Sequence, residues 1–276
     1  MKKTSTILIL LAIFPGYLLA QDNARINAAV SEGKRIYRSE MASWYGSDIF
    51  LDKFKNKRND IGGYFSYAEN ELTHCIFFSK GEEPTVLAKI SFDSTFSTEK
   101  ANISQEGLSF NAFEKDIYSI RKSALAIINS DTLFKVYKNT NLNLVPLIAG
   151  DEKKVYVLTG PTVNGVVVFG NDYLLTFDNN NKLIEKRQLH KNIIPIEYGK
   201  EEEGKTVVAT MHSHLPATGE YITSTDIATL MLYGKMTKWQ EHIVMSKKYV
   251  SIWNCDKNEL VVLTKKAFDK ISKRRK

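Results

Sequence analysis

The chain reads as an α+β protein on three observations. Three strand patterns follow closely between Gly63 and Phe92, an amphipathic helical pattern runs from Phe113 to Ile128, and a strand-rich half after Leu142 is interrupted by one helix. With 276 residues and 43% hydrophobic content it can bury a sizeable core, and the length suits two modest domains.

The first element is a leader. Lys2 and Lys3 precede an apolar run from Ile7 to Phe14, then Pro15, Gly16 and the small Ala20, the three-part pattern of a signal peptide over residues 1–20. The run is far shorter than the ~20 residues a bilayer span needs, and no later segment is apolar enough to cross. The expected product starts at Gln21, is soluble, and is exported to the periplasm or outside the cell.

The region 21–110 should be a small α+β unit. Ile26, Ala29, Ile36, Met41 and Trp44 recur at near-helical spacing, which predicts helical structure broken near Tyr45, Gly46 and Ser47. The strand patterns Gly63 to Ala68, Thr73 to Phe78 and Thr85 to Phe92 are separated by turn-like segments, so an antiparallel meander follows. Ser94 to Asn111 is polar and aperiodic, and the domain boundary is placed at its end.

The second domain, 111–276, opens with the amphipathic helix and continues with strands at Leu142 to Ile148, Val155 to Leu158, Val166 to Phe169 and Tyr173 to Phe177. An Asn-rich turn at Asp178 to Asn181 leads into Lys182 to His190. A strand from Thr206 to Met211 follows, then a helix from Ser224 to Lys235 with Gly234 near its stop. Strands at His242 to Ser246, Tyr249 to Trp253 and Glu259 to Thr264 complete the pattern of a mixed sheet flanked by helices. The net charge of +7 falls to +5 once Lys2 and Lys3 are removed, and much of the excess lies between Lys265 and Lys276. That run reads as a solvated, fraying end, and no nucleic-acid partner is expected.

Chemistry concentrates at Met211-His212-Ser213-His214-Leu215-Pro216 and Thr223-Ser224-Thr225-Asp226. In a strand, residues i and i+2 share a face, so His212 and His214 are neighbours. Asp226, at the start of the following helix, can close on them and complete a three-ligand zinc site with room for water. Thr223 with Asp226 three residues later also matches the capping box that starts a helix.

HxHP, a short loop and SxxD opening a helix are the signature that this chain's HSHLP and TSTD resemble, that of the JAMM (MPN-type) metallopeptidases and isopeptidases. The residue match covers Met211 to Asp226, and the order of elements is similar from about Phe113 to Thr264. The resemblance implies a zinc ion held by His212, His214 and Asp226, with Thr223 in place of the Ser that helps orient the oxyanion. It also implies hydrolysis of amide or isopeptide bonds in a peptide or protein substrate. Leu215 lengthens the loop by one residue relative to the family, and Thr replaces Ser. The family's catalytic Glu has no counterpart between Val155 and Gly170, where only Asn164 and, just beyond, Asn171 are polar amides. Asp172, Glu185, Glu197 and Glu220 are candidate substitutes. The missing Glu favours an alternative from another class, a non-catalytic JAMM-like binding module whose metal site is vestigial or structural.

The other histidines read more plainly. His190 is expected as an end-of-strand surface histidine, with a supporting or ligand role as the alternative, and His242 has no evident partner. His74 and Cys75 are adjacent on a strand and point to opposite faces, so Cys75 is expected to be buried and structural. Cys75 and Cys255 could pair or stay free. No phosphate-binding Gly-rich loop, GxSxG elbow or CxxC pair is present.

Overall fold

The computed structural model describes residues 15–104, 107–199 and 206–274, with side chains from Asp22 onward. The leader's apolar run lies outside the described residues. Helices and antiparallel and mixed sheets confirm the α+β class, and the meander and central helix stand where their periodicity placed them.

Helix α1, Pro15–Lys53, is continuous, so the break expected near Gly46 is absent. Gly46 lacks the Cβ that would meet Cys75 Cβ at 2.8 Å, so the helix presses onto the first sheet at this point, and packing outweighs the helix-weakening tendency of glycine. That sheet runs in order β1 (Ile61–Glu69), β2 (Leu72–Ser79), β3 (Val86–Phe92) and β4 (Asn102–Ser104), all antiparallel. One face packs on α1 through Ile49, Phe50, Cys75, Phe77 and Ile90. The other packs on α2, Ala112–Ser130, through Phe65, Ile76, Phe78 and Ile117. Asn111 and Glu114 form a full capping box at the start of α2.

Helix α2 then shares itself with a second antiparallel sheet: Ile120 and Ala124 pack on Val155, Val157, Tyr173 and Leu175. This sheet runs β5 (Thr140–Ala149), β6 (Glu152–Pro161), β8 (Tyr173–Phe177), β9 (Leu183–Gln188). Between its members, β7 (Val166–Gly170) pairs with β10 (Ile193–Glu197), a strand the sequence pattern did not single out. The third sheet is mixed. β11 (Ala209–Ser213) runs parallel to β12 (Glu241–Met245), which pairs antiparallel with β13 (Tyr249–Asn254), itself antiparallel to β14 (Glu259–Thr264). The His-bearing strand therefore starts at Ala209, not Thr206.

Helix α3, Ser224–Thr237, makes the parallel crossover from β11 to β12 and ends on Lys238 in the left-handed conformation, so Gly234 lies inside it. The basic C-terminal run is a helix, α4 (Lys265–Arg274), and not a frayed end, because Thr264 caps Ala267 and Lys265 pairs with Asp269 one turn on. Among the described residues no helix is long and apolar enough to cross a membrane. Cys75 is buried and Cys255 partly so, and both are free thiols. Burial pushes the Cys75 thiol up to about 12, in keeping with a structural role.

The contact that fixes the site is α1 against α3. A Cβ on Gly33 of α1 would lie 2.8 Å from Ile227 Cβ and 2.9 Å from the Ser224 carbonyl oxygen, both in the first turn of α3. Ile36, one turn further along α1, is buried against Ala228 and the second sheet. Gly33→Ala should therefore destabilise by about 1–2 kcal/mol, the overpacking penalty exceeding the roughly 1 kcal/mol helix-propensity gain. Urea unfolding of the variant measures this, and an increase in stability would refute the close-approach account.

Candidate metal centre

Two histidines of β11 and its exit converge on the first turn of α3. His212 Nε2 lies 3.1 Å from His214 Nε2, His214 Nε2 lies 3.1 Å from Asp226 Oδ2, and His212 Nε2 lies 3.6 Å from Asp226 Oδ1. All three side chains are buried. Thr223 is the N-cap of α3. Its hydroxyl donates to Asp226 Oδ2 (2.7 Å) and accepts from the Asp226 N–H (3.2 Å), while the Thr223 N–H donates to the same carboxylate oxygen (2.9 Å). The capping box thus orients Asp226, and the positive end of α3 favours its charge. The structure brings together all four residues picked from the motif.

It also brings in two that the sequence reading left outside. His190, expected at the surface, is buried: its Nε2 stands 3.4 Å from Thr223 Oγ1 and 3.7 Å from Asp226 Oδ2, and its Nδ1 faces Asp172 Oδ2 at 3.2 Å. The connection after β9 folds inward, because the Leu189 and His190 N–H groups both donate to the Asp172 carbonyl. His242, fully buried on β12, has its Nε2 2.8 Å from His212 Nδ1 and its Nδ1 2.7 Å from Thr210 Oγ1. Parallel pairing sets Thr210 beside His242 and His212 beside Val244. The partnership of His242 with His212 is invisible without that register.

Burial, opposed by Asp226, lowers the His212 pKa to about 4, and burial, with His212 adding to it, lowers His242 to about 3, so both rings are neutral at pH 7. A cation on His212 Nε2 requires the tautomers in which His212 Nδ1–H donates to His242 Nε2 and His242 Nδ1–H donates to Thr210 Oγ1, and the distances allow both bonds. Burial alone would raise Asp226 and lower His190. For Asp226 the neighbouring imidazoles, His190 foremost, overcome burial and hold the carboxyl well below its usual range, while Asp226 and Asp172 together carry His190 up to about 10.

The donor set fits a divalent cation. Ligands at ~2.0–2.2 Å around a tetrahedral zinc stand about 3.3–3.6 Å apart, close to the observed separations. Asp226 Oδ1 is buried with no hydrogen-bond donor, so it is free to meet a cation. His190, His214 and Asp226 offer ligand atoms all within 4.8 Å of one another, so this buried group can hold a metal ion. The cluster opens into a small cavity of about 40 Å³ lined by Phe169, Gly170, Asn192 and Thr218 beside the cluster residues.

None of the other carboxylates weighed from the sequence lines this cavity. Asp172 is engaged by His190 and by the Thr159 N–H. Glu185 and Glu197 sit on exposed positions of β9 and β10, and Glu220 accepts from Ser246 and Lys248. Asn171 points instead to the Lys135 carbonyl and Thr159, and Asn164 lines a separate cavity. His74 Nδ1 bonds Ser91 Oγ at 2.8 Å, on the far side of its strand from the Cys75 thiol.

The chain matches no protein-family model, no curated protein and no solved structure.

In metal-free protein, the His190 pKa is raised above its unfolded value near 6.5, so the stability it contributes is full below pH 6.5 and is lost as pH rises through about 10. The loss of stability in His190→Gln should therefore be largest at pH 6 and shrink toward pH 10. Urea unfolding of both proteins in chelator at several pH values checks this, and a loss that grows with pH would contradict the charge pairing.

Proposed function

We propose that this chain is an exported, zinc-dependent hydrolase of amide or isopeptide bonds, JAMM-like in its site. The observation that carries the reading is the His212–His214–Asp226 triangle, closed by the parallel register of β11 and the cap of α3. The signal-like leader supports export, and the HSHLP and TSTD motifs support the class of reaction. His212, His214 and Asp226 hold the zinc, and Thr223 positions Asp226. When bound, zinc supplies activated water at neutral pH and polarises the carbonyl under attack.

Proton movement falls to His190. His190 and Lys191 are the titratable residues lining the small cavity besides the zinc-holding trio, and His190 stands within 3.7 Å of Asp226 with a second carboxylate, Asp172, behind it. A cation on Asp226 offsets the negative charge that holds the His190 proton, which moves its pKa down toward neutrality. His190 Nε2 then gives its proton to the departing amine nitrogen, while the Asp172 carboxylate, 3.2 Å from Nδ1, offsets the positive charge of the ring.

A second reading rests on the same histidine. The closeness of its Nε2 to the ligand atoms of His214 and Asp226 also suits a fourth ligand and a closed, structural zinc site, which would make the chain a non-catalytic binding module. Three proteins separate the readings. The mature chain should bind one zinc per molecule and cleave members of a peptide and isopeptide library. A His212→Ala, His214→Ala double variant should lose both properties, and equal zinc content would end the proposal. His190→Gln should keep its zinc while turnover falls about 10²-fold or more if His190 moves the proton. Loss of zinc from His190→Gln would establish the closed site.

A further inference from the structure

We propose that the cavity between α1, α3 and β6–β7 binds a linear aliphatic polyamine. This second cavity, about 380 Å³, is separate from the metal centre. Val166 and Val168 of β7 line it, whereas Phe169 and Gly170 line the small cavity at the histidines.

Its wall is acidic and aromatic. Glu40, Trp44 and Asp48 stand at i, i+4 and i+8 of α1, so they form one stripe about 12 Å long, carboxylate, indole, carboxylate. Tyr64, Tyr198 and Tyr233 line the same space, and the Trp44 and Tyr233 rings are 6.2 Å apart. No Lys, Arg or His is among the residues lining it, although the chain as a whole carries +7. Glu40 is half-buried and makes no hydrogen bond or ion pair among the described residues. Tyr64 and Tyr233 stand beside it, Arg121 lies over the Tyr64 ring at 5.7 Å without lining the cavity, and burial raises the Glu40 carboxyl to about 7. A sheltered carboxylate without a partner is costly, and a ligand cation removes that cost.

The spacing selects the ligand. One ammonium meets Glu40 in the interior, a second meets Asp48, which is exposed at the mouth, and the methylenes between them lie on Trp44 and Tyr233. An extended spermidine spans the stripe. Ser43, Asn143 and Thr229, also in the lining, offer acceptors for the remaining N–H groups.

Isothermal titration of the mature chain with spermidine at physiological ionic strength tests the proposal. One saturable site is expected, with affinity about tenfold or more weaker in Glu40→Gln and clearly weaker in Trp44→Ala. n-Propylammonium, which reaches one carboxylate only, should bind more weakly than spermidine. Circular dichroism confirms that each variant is folded, and if Glu40→Gln is not, Asp48→Asn and Trp44→Ala carry the comparison. Three results would overturn it: no saturable heat, the same affinity in every folded variant, or complete displacement by an equal concentration of magnesium, which would reduce the effect to diffuse charge.

Discussion

A buried negative charge organises the second half of this protein. Asp226 is almost completely removed from water, and an isolated carboxylate in such a place would cost several kcal/mol or give up its charge. The fold answers with the amide and hydroxyl of Thr223, the positive end of α3 and three imidazoles. They come from three separate stretches of chain, so keeping Asp226 ionised requires β11, the turn after β9 and α3 to be in place together. His242 extends the demand to β12, since its Nε2 meets His212 Nδ1 at 2.8 Å.

Precision at that carboxylate depends on α1. The helix lies along the first sheet at Gly46 and Phe50 and along α3 at Gly33 and Ile36, so it touches both halves of the chain. Two missing Cβ atoms allow these approaches. The same helix supplies the acidic stripe of the larger cavity, so α1 shapes one site with its side chains and braces the other through the first turn of α3. β7 borders both sites, with Val166 and Val168 on the larger cavity and Phe169 and Gly170 on the smaller.

Helix α2 was legible from its three- and four-residue rhythm, and the meander from β1 to β3 from short apolar runs set off by turn segments. Burial on both faces leaves β2 with six buried residues in succession and no two-residue alternation. Misreadings arose where a local rule met a tertiary contact. Gly46 signals a helix break in isolation but marks a close approach to Cys75 in the fold. The valines at 207 and 208 suggest strand, yet both are exposed and the ladder begins at Ala209, where β12 lies alongside. The Lys-rich end looks frayed, yet capping and an ion pair one turn apart order it as α4.

The sequence by itself determined the α+β class, the sharing of a face by His212 and His214, and the Thr223–Asp226 cap, because each depends on neighbours within a few residues. Only the tertiary structure decided that His190 and His242 belong to the same cluster, that Asp172 faces His190, and that Glu40 shares a cavity with Trp44, Tyr64 and Tyr233. Those relations join residues far apart along the chain, and strand register and helix docking, which no local spacing encodes, bring them together.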